Sequence, residues 1–334
     1  PAGYPTASIA ITPDIKVPPG WKFATALEQQ TSGANMARFK TVSVNELIDS
    51  PLAAGLHYRR IDLAPSAAPA VFLTLFGDRS QNLDISQTQI THHQALIQQA
   101  VALFGSQHYD HYDFLLALSK ETNHFGLEHH QSSDDRAQAD FFTSPSAYLA
   151  DPALLAHEYV HSWNGKFRRP AGLVTTDFGA PMKADLLWVY EGLTNYLGEV
   201  LAARSGMWNA EQYRDNLAIT AANMDHRPGR NWRPLRDTDD QAQILYNAPQ
   251  AWANYRRGTD FYAEGSLLWL DVDTRIRALS GGKKSLDDYL KVFYARDPQF
   301  SRTSHDVKPY TVEEVVATLN ATEAYDWAGF LKSR

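Results

Sequence analysis

The segment LLAHEYVHSWNGK, residues 154–166, holds two histidines four positions apart around a glutamate, and it constrains the fold more than any other feature. On a helix, residues i and i+4 lie on one face one turn apart, so His157 and His161 point in the same direction. Asp151-Pro152 is a helix-start signal, with Asp151 as the N-cap. The apolar residues Leu154, Leu155, Tyr159 and Val160 continue the helix. The sequence therefore predicts that the HEYVH segment lies on a helix.

These three side chains have the composition of a zinc centre with a general base. Two imidazoles one turn apart can bind one tetrahedral zinc ion at about 2.0–2.1 Å. Glu158 lies beside them, where it could take a proton from a water on the metal and pass it to a leaving amine. The chain contains no cysteine, so any metal must be held by His, Asp or Glu. The alternative explanation is a chance match to a short pattern.

A catalytic zinc needs a third protein ligand and an open fourth position. A second predicted helix, residues 184–204, offers two glutamates, Glu191 and Glu199, which lie two turns apart on the same face. Both compete for the role. We favour Glu191 because it lies nearer the helix start and beside Gly192, whose small size permits close approach.

Composition and charge exclude several classes of function. A length of 334 residues with 44% hydrophobic and 21% charged residues is typical of globular proteins with a sizeable core. The net charge of −7 argues against a nucleic-acid surface. No apolar run approaches the roughly 18 residues of a membrane span. The first residues lack the pattern of a signal peptide. We expect a periplasmic or secreted bacterial protein whose signal peptide is not part of this chain, with a cytoplasmic location as the alternative.

HEYVHSWNGK followed by WVYEGLTNY resembles the zinc aminopeptidases of the aminopeptidase N type, whose helices carry HExxHxW and later Trp-x-x-Glu-Gly. RRP after the first helix and the segment LLWVYEGLTNYLGEVLAARSG are more specifically similar to the glycyl aminopeptidase family. These are gluzincin metallopeptidases, related to thermolysin, that carry a C-terminal PDZ domain. The resemblance extends from near Trp21 to about Tyr294. It implies that Glu191 is the third ligand of a single zinc ion.

The resemblance also assigns roles that spacing alone leaves open. GLEH resembles a Gly-x-x-Glu motif that binds the free amine of a peptide, which implies Glu128 as the amine anchor, with Gly126 and His129 also at the substrate. FYAEG resembles the family's Tyr-x-x-Gly helix start, which implies that Tyr262 stabilises the oxyanion. Without the resemblance, Glu128 would be interpreted as a surface glutamate and Tyr262 as a core aromatic. Asn195, one turn after Glu191, could orient a zinc-bound histidine.

Two further features carry no chemical prediction. Glu264 stands where relatives often have lysine, and its effect on the site is open. RDTDD, residues 236–240, has a composition that suits calcium, but it lacks the glycine and the distal glutamate of an EF-hand loop. We interpret it as an exposed loop.

The predicted fold class is α+β, with a thermolysin-like zinc peptidase domain and a small N-terminal β region. We assign residues 1–75 to a β-rich, partial β domain, and residues 76–205 to an α/β subdomain that carries the HExxH and glutamate helices. Residues 206–334 form a helical subdomain, and we expect the PDZ domain of the family not to be present. The apolar spacing predicts helices over about residues 89–104, 184–204, 210–224, 261–278, 285–294 and 311–319.

The function predicted from the sequence is a zinc-dependent aminopeptidase that removes the N-terminal residue of peptides. Its preference for glycine and alanine is implied by the resemblance alone. The expected partners are peptides with a free N-terminus, with no nucleic acid and no membrane span. One alternative is a zinc endopeptidase, in which Glu128 does not close the cleft. Another is a catalytically silent peptide-binding module of the same fold. The sequence gives no oligomeric state.

Overall fold

The N-terminal part of the chain is built from short strands. The computed structural model describes residues 3–65, 69–245, 251–300 and 305–334. Its first elements are β1 (Ala10–Ile11), β2 (Asp14–Lys16), β3 (Lys22–Thr25), β4 (Gln29–Ser32), β5 (Met36–Phe39), β6 (Val42–Ser43), α1 (Val44–Ile48) and β7 (Leu52–Gly55). These strands form three small antiparallel sheets, one of them over a core that includes Phe39. The strand-rich character predicted for this region is confirmed.

A five-stranded mixed sheet follows, in the order β11-β12-β10-β9-β8. Its strands are β8 (His57–Asp62), β9 (Ala70–Gly77), β10 (His111–Leu118), β11 (Phe125–Glu128) and β12 (Ser132–Ala137). The three central strands are parallel, and each edge strand is antiparallel to its neighbour. Strand β10 is buried along most of its length, as expected for a parallel strand covered on both faces. Strand β8 and most of β9 belong to this sheet, although the sequence analysis assigned them to the N-terminal region.

Helices cover the sheet and form the rest of the molecule. They are α2 (Gln87–Phe104), α3 (Pro145–Ala150), α4 (Leu154–Val160), α5 (Leu187–Arg204), α6 (Ala210–Asp225), α7 (Arg236–Leu245), α8 (Ala253–Arg256), α9 (Asp260–Leu279), α10 (Leu286–Phe293), α11 (Val312–Thr322) and α12 (Trp327–Lys332). A two-stranded parallel sheet joins β13 (Arg168–Pro170) to β14 (Lys308–Tyr310). Within the described ranges, no helix has both the length and the apolar character of a membrane span. The predicted α+β class is confirmed.

Helix α2 shows how local sequence sets an element. Ser86 and Gln89 form a capping box at its start, and Gly105 ends it in the left-handed conformation with φ of +66°. Its buried residues pack into the main core, against the sheet. The helix connects β9 to the parallel strand β10, a crossover that parallel pairing requires. The helix predicted over residues 89–104 is thus confirmed.

Helices α5 and α9 approach each other at two glycines. An added Cβ at Gly192 would lie 2.8 Å from the Cα of Gly265, and one at Gly265 would lie 2.8 Å from the Cα of Gly192. Real Cβ atoms do not come so close to a backbone, so each position excludes any larger residue at this spacing. The contact fixes the distance between the helix that carries Glu191 and the helix that carries Tyr262.

Two predictions of local structure are wrong. Asp151 does not cap α4, which begins at Leu154 with Ala153 in the N-cap position. Asp151 instead follows α3, and its Oδ2 accepts a hydrogen bond from Nε2 of His124 at 2.7 Å.

RDTDD is not an exposed loop, because it forms the first turns of α7, with Asp239 fully buried. One oxygen of the Asp239 carboxyl group accepts a bond from the backbone N–H of Trp188 at the start of α5, which offsets part of the cost of its burial.

Candidate metal centre and cleft

Helix α4 holds the HExxH residues at the centre of the molecule. It packs between α5 on one side and strands β11 and β12 on the other. Its apolar face is buried in the main core. The same packing buries Glu158 and His161, which are 5% and 1% exposed. Only the side chain of His157, at 15% exposure, reaches towards solvent.

Glu191 on α5 meets both imidazoles. Its Oε2 atom lies 3.3 Å from Nε2 of His157 and 3.3 Å from Nε2 of His161. The two Nε2 atoms are 3.2 Å apart, so the three atoms form a nearly equilateral triangle. Ligand atoms of a tetrahedral zinc with bonds of about 2.0–2.1 Å lie about 3.3–3.4 Å from one another. The triangle therefore has the size that such an ion requires.

Two features of the surrounding structure support the same fit. Oε2 of Glu191 is buried and has no hydrogen-bond partner within the described chain, a costly state that a cation would relieve. Nδ1 of His161 lies 2.8 Å from the carbonyl oxygen of Asn164, which directs Nε2 towards the centre of the triangle. The amide of Asn164 donates to the carbonyl oxygens of Val189 and Tyr190, at 2.9 and 3.0 Å, and so joins α4 to α5.

The electrostatics of the centre favour an ionised glutamate. Burial by itself would raise the pKa of Glu191, but the charge of His161 and the close approach of both imidazoles lower it to about 2. Burial by itself would lower the pKa of His161, whereas the charges of Glu128 and Glu191 raise it. The Glu191 carboxylate thus keeps the negative charge that a metal ligand needs.

Glu158 lies against the backbone of the edge strand β11. An added Cβ at Gly126 would lie 2.2 Å from Oε1 of Glu158, so only glycine leaves room for this carboxyl group. Burial raises the pKa of Glu158 well above its usual value, and the charges of Asp135, Glu128 and Glu191 raise it further. A carboxyl group with a raised pKa is suited to accept and return a proton near neutral pH.

Glu128 ends the same strand, close to the metal-ligand candidates. One oxygen of Glu128, one oxygen of Glu158 and one nitrogen of His161 all lie within 4.8 Å of one another. The hydroxyl of Tyr190 donates a hydrogen bond to Oε1 of Glu128. Burial by itself would raise the pKa of Glu128, but the charges of His161 and Lys166 lower it. A half-buried, ionised carboxylate therefore faces the cleft at this point.

Two cavities meet at β11. The Glu128 cavity, about 500 Å³, is lined by Thr6, Asn45, Ile48, Asp49, Leu127, Glu128, His129, Lys166, Arg169, Val174, Thr175, Asp177, Phe178, His305, Asp306 and Val307. The Tyr262 cavity, about 430 Å³, is lined by His124, Phe125, Gly126, Asp151, Ala153, Leu154, His157, Glu158, Asn195 and Tyr262. A larger cavity of about 720 Å³ lies between α11, α12 and the start of α5, and it contains none of these acidic or metal-ligand candidates. The cleft therefore extends along β11, from one cavity through Gly126 to the other.

Tyr262 lies in the first turn of α9, on the opposite side of the cleft from β11. Its ring is 6.0 Å from the ring of His157, and it shares the Tyr262 cavity with Glu158. Glu264, the departure noted in the sequence, accepts hydrogen bonds from Arg230 and Arg257. The two arginines compensate the charge of this buried glutamate, which is 8% exposed.

Asn195 makes no hydrogen bond to either histidine in the described chain. Its amide donates to Oε1 of Glu199 at 3.3 Å, one turn further along α5. Glu199 is buried and also accepts from the hydroxyl of Ser266. Asn195 lines the Tyr262 cavity together with His157. Its role in orienting a zinc-bound histidine stays a prediction.

Residues that the sequence analysis missed complete the site. Tyr190 binds Glu128, and Asn164 binds His161 and α5. Each lies within one turn of a metal-ligand candidate, which is the only sequence signal that could have identified them. His129, by contrast, was predicted at the substrate. It lines the Glu128 cavity, and its Nδ1 lies 3.2 Å from Oδ1 of Asp49.

Two protein-family models match parts of this chain. The M61 glycyl aminopeptidase model matches residues 151–268, which include His157, Glu191 and Tyr262. The peptidase M61 N-terminal domain model matches residues 1–56. The chain belongs to the M61 glycyl aminopeptidase family. Glu128 lies between the two matched ranges. No curated protein sequence matches the chain.

Solved structures share the fold of this M61 family member. An aminopeptidase N family protein from Idiomarina loihiensis is 22% identical, with a TM-score of 0.80 over 98% of this chain and 55% of that one. An M1 zinc metallopeptidase from Deinococcus radiodurans is 17% identical, with a TM-score of 0.57 over 97% of this chain and 63% of that one. Native yeast LTA4 hydrolase is 16% identical, with a TM-score of 0.61 over 98% and 47%. The predicted thermolysin-like peptidase fold is thus confirmed, and the chain spans about half to two thirds of these relatives.

Proposed function

We propose that this chain is a zinc-dependent aminopeptidase that hydrolyses the N-terminal peptide bond of peptides. The observation that carries the proposal is the triangle of His157, His161 and Glu191, with two further carboxylates, Glu158 and Glu128, beside it. The proposal assigns the three triangle residues to one zinc ion. When bound, zinc polarises the scissile carbonyl group and lowers the pKa of water.

Glu158 is the general base in this proposal. It accepts a proton from the attacking water and returns it to the leaving amine. Its burial against α5 and β11 supports the role, because the raised pKa of its carboxyl group brings proton transfer closer to neutral pH. Gly126 allows the substrate backbone to approach this carboxyl group directly, since no side chain separates them.

Glu128 binds the free α-ammonium group of the substrate. Its lowered pKa keeps it ionised, and the bond from Tyr190 fixes its orientation. Glu128 lies two residues beyond Gly126 on strand β11. This spacing along the strand leaves about one substrate residue between the bound amine and the scissile bond. The N-terminal side chain then enters the Glu128 cavity, and the leaving peptide passes the Tyr262 cavity.

Tyr262 donates a hydrogen bond to the carbonyl oxygen as negative charge develops on it. A donor whose bond strengthens in the transition state accelerates the reaction, whereas one that binds the ground state equally well does not. Its place beside His157 and Glu158 supports this role. A preference for glycine and alanine, one zinc ion per chain, and a periplasmic or secreted location remain predictions that rest on the family.

A comparison of a free glycyl peptide with its N-acetylated form tests the proposal. Cleavage of the free peptide alone is expected, because acetylation removes the charge that Glu128 binds. Equal cleavage of both would support the endopeptidase alternative. Binding of both peptides without cleavage by the zinc-loaded protein would support the silent binding module.

A further inference from the structure

Arg169 is held rigidly beside the Glu128 cavity. It lies in the middle of β13, where the parallel partner β14 fixes the backbone. Its Nε donates a hydrogen bond to the carbonyl oxygen of Gly165 at 2.8 Å. One edge of the guanidinium group is therefore anchored, and its direction is set by a backbone contact rather than by a flexible side chain.

The terminal nitrogens of Arg169 make no hydrogen bond and no ion pair within the described residues. Neighbouring cations differ in this respect. Lys166 binds Oδ1 of Asp49 at 2.8 Å, and Arg168 binds Oε1 of Glu314 at 2.5 Å. Arg169 is half-buried, and its terminal nitrogens are open to solvent. Arg169 thus offers an unused pair of donors at the wall of the cavity.

Arg169 lies near Tyr190 and Glu128. The carbonyl oxygen of Gly165 accepts the Nε–H bond of Arg169, and an added Cβ at Gly165 would lie 3.0 Å from the hydroxyl of Tyr190. Tyr190 is the residue that donates to Glu128. The guanidinium group is therefore close to the amine anchor, within the same cavity.

The other charged residues of the cavity already have an assignment or a partner. Asp49 binds Lys166 and contacts His129. Asp177 accepts a hydrogen bond from the backbone N–H of Gly179 at 2.8 Å, and Asp306 also has a partner. In the proposed function, Glu128 binds the substrate ammonium. A carboxylate from the substrate would accept hydrogen bonds from the terminal nitrogens of Arg169. The contacts of the other charged residues would stay unchanged.

We propose that Arg169 binds a side-chain carboxylate on the N-terminal residue of the substrate. This inference rests on the proposed aminopeptidase function and names a further substrate class for it, peptides that begin with aspartate or glutamate. A guanidinium group holds a carboxylate through two parallel N–H donors, which gives both strength and orientation. The cavity volume of about 500 Å³ leaves room for such a side chain beyond glycine or alanine. An N-terminal glycine or alanine has no side-chain carboxylate, so Arg169 stays hydrated when such a substrate binds.

Matched N-terminal residues test the proposal. The substrates are aspartyl, asparaginyl and alanyl peptides that are identical after the first residue. The zinc-loaded protein is expected to show at least a tenfold higher kcat/KM for the aspartyl than for the asparaginyl peptide, because a charged hydrogen bond contributes about this much. In Arg169→Gln this ratio is expected to fall to about one, while the alanyl peptide is still turned over. Arg169→Lys is expected to retain part of the ratio, and Arg236→Gln, a surface control, all of it.

The outcomes separate the two proposals. An aspartyl to asparaginyl ratio near one in the native chain, or a ratio unaffected by Arg169→Gln while alanyl turnover persists, overturns the role of Arg169 alone. If no substrate is turned over, the aminopeptidase function fails. Calorimetric binding of the aspartyl and asparaginyl peptides then decides the role of Arg169, and equal Kd values overturn it. Thermal unfolding of Arg169→Gln within a few degrees of the native chain excludes a loss of fold.

Discussion

The hydroxyl of Tyr190 donates a hydrogen bond to the carboxylate of Glu128 and thereby joins the edge of the sheet to the helix that carries Glu191. The ring of Tyr190 lies 4.9 Å from the ring of His161. One side chain thus contacts both the proposed amine anchor and a proposed zinc ligand. In the proposed function, this contact links the site that binds the substrate amine to the site of hydrolysis.

Tyr190→Phe is expected to weaken substrate binding more than catalysis. The variant keeps the ring against His161 but removes a hydrogen bond to a charged group, which is worth about 1.5–3 kcal/mol. KM for a free glycyl peptide should rise about 10-fold or more, while zinc content stays at the native level. Steady-state kinetics and metal analysis on one preparation measure both. Loss of zinc in this variant would show that Tyr190 supports the metal rather than Glu128.

Glu191→Gln is expected to lower zinc affinity at least 100-fold, because the neutral amide loses the charge that a metal ligand supplies. Glu199→Gln is the matched control on the same helix. Glu199 is buried, with its pKa raised to about 7, chiefly by burial, and it is bonded to Asn195 and Ser266 rather than to the histidines. The control should retain zinc. Competition with a chelator gives both affinities, and the reverse order would assign the metal to Glu199.

Glu158→Gln should keep zinc bound and lose about 10² or more of the rate. Glutamine has nearly the same shape as glutamate but cannot accept a proton from water. It also fits the space against Gly126, so the fold is expected to persist. Zinc content, thermal unfolding and kcat are measured together. Turnover at the native rate would refute Glu158 as the base.

Gly192→Ala should both destabilise the protein and slow the reaction. Its new Cβ would lie 2.8 Å from the Cα of Gly265, and a backbone contact of this kind forces the helices apart, at a cost of about 1–3 kcal/mol. Because Tyr262 is on the second helix, kcat should fall too. Gly258→Ala is the control, since an added Cβ there meets no heavy atom within 4 Å. Urea unfolding and kcat distinguish the two variants.

Stability should decrease as the pH falls from about 6.5 towards 4, in part because of His93. Burial lowers the pKa of His93 from 6.5 to about 4, although its bond to the carbonyl of Gln89 opposes the shift. The unfolded chain therefore binds a proton in this range and the folded chain does not. At pH 5 this difference removes about 2 kcal/mol of the free energy of unfolding. His93→Gln should lose less stability between pH 7.5 and 5, and urea unfolding at both values measures it. An equal loss in both proteins would contradict the assignment.

The sequence was sufficient to predict the parts of the site that lie on a single helix. The i, i+4 spacing places His157 and His161 on one face whatever surrounds them. The choice between Glu191 and Glu199 was not accessible from spacing, because both lie on the same face of α5. The packing of α4 against α5 decides which glutamate meets the imidazoles, and it places Glu191 there.

Side chains whose partners come from distant segments were predicted less well. Asp239 belongs to a stretch of charged residues that indicates exposure, yet it lies under the start of α5 and bonds to its backbone. Burial raises the pKa of Asp239 to about 8, although that bond opposes the shift. Asp151 was expected to cap α4, but a histidine 27 positions earlier binds it instead. In each case a tertiary contact outweighed the local preference.

The edge position of β11 has a consequence for recognition. Among the residues that the structure describes, β11 pairs on one side only, with β12, and residues of β11 line the cavities of the cleft. A peptide laid along it would form the sixth strand of the sheet. Main-chain hydrogen bonds of this kind can form with any peptide sequence. The bound substrate would therefore be a temporary strand of the sheet, whatever its side chains. Discrimination among substrates would then come from the cavities at the two ends of the strand.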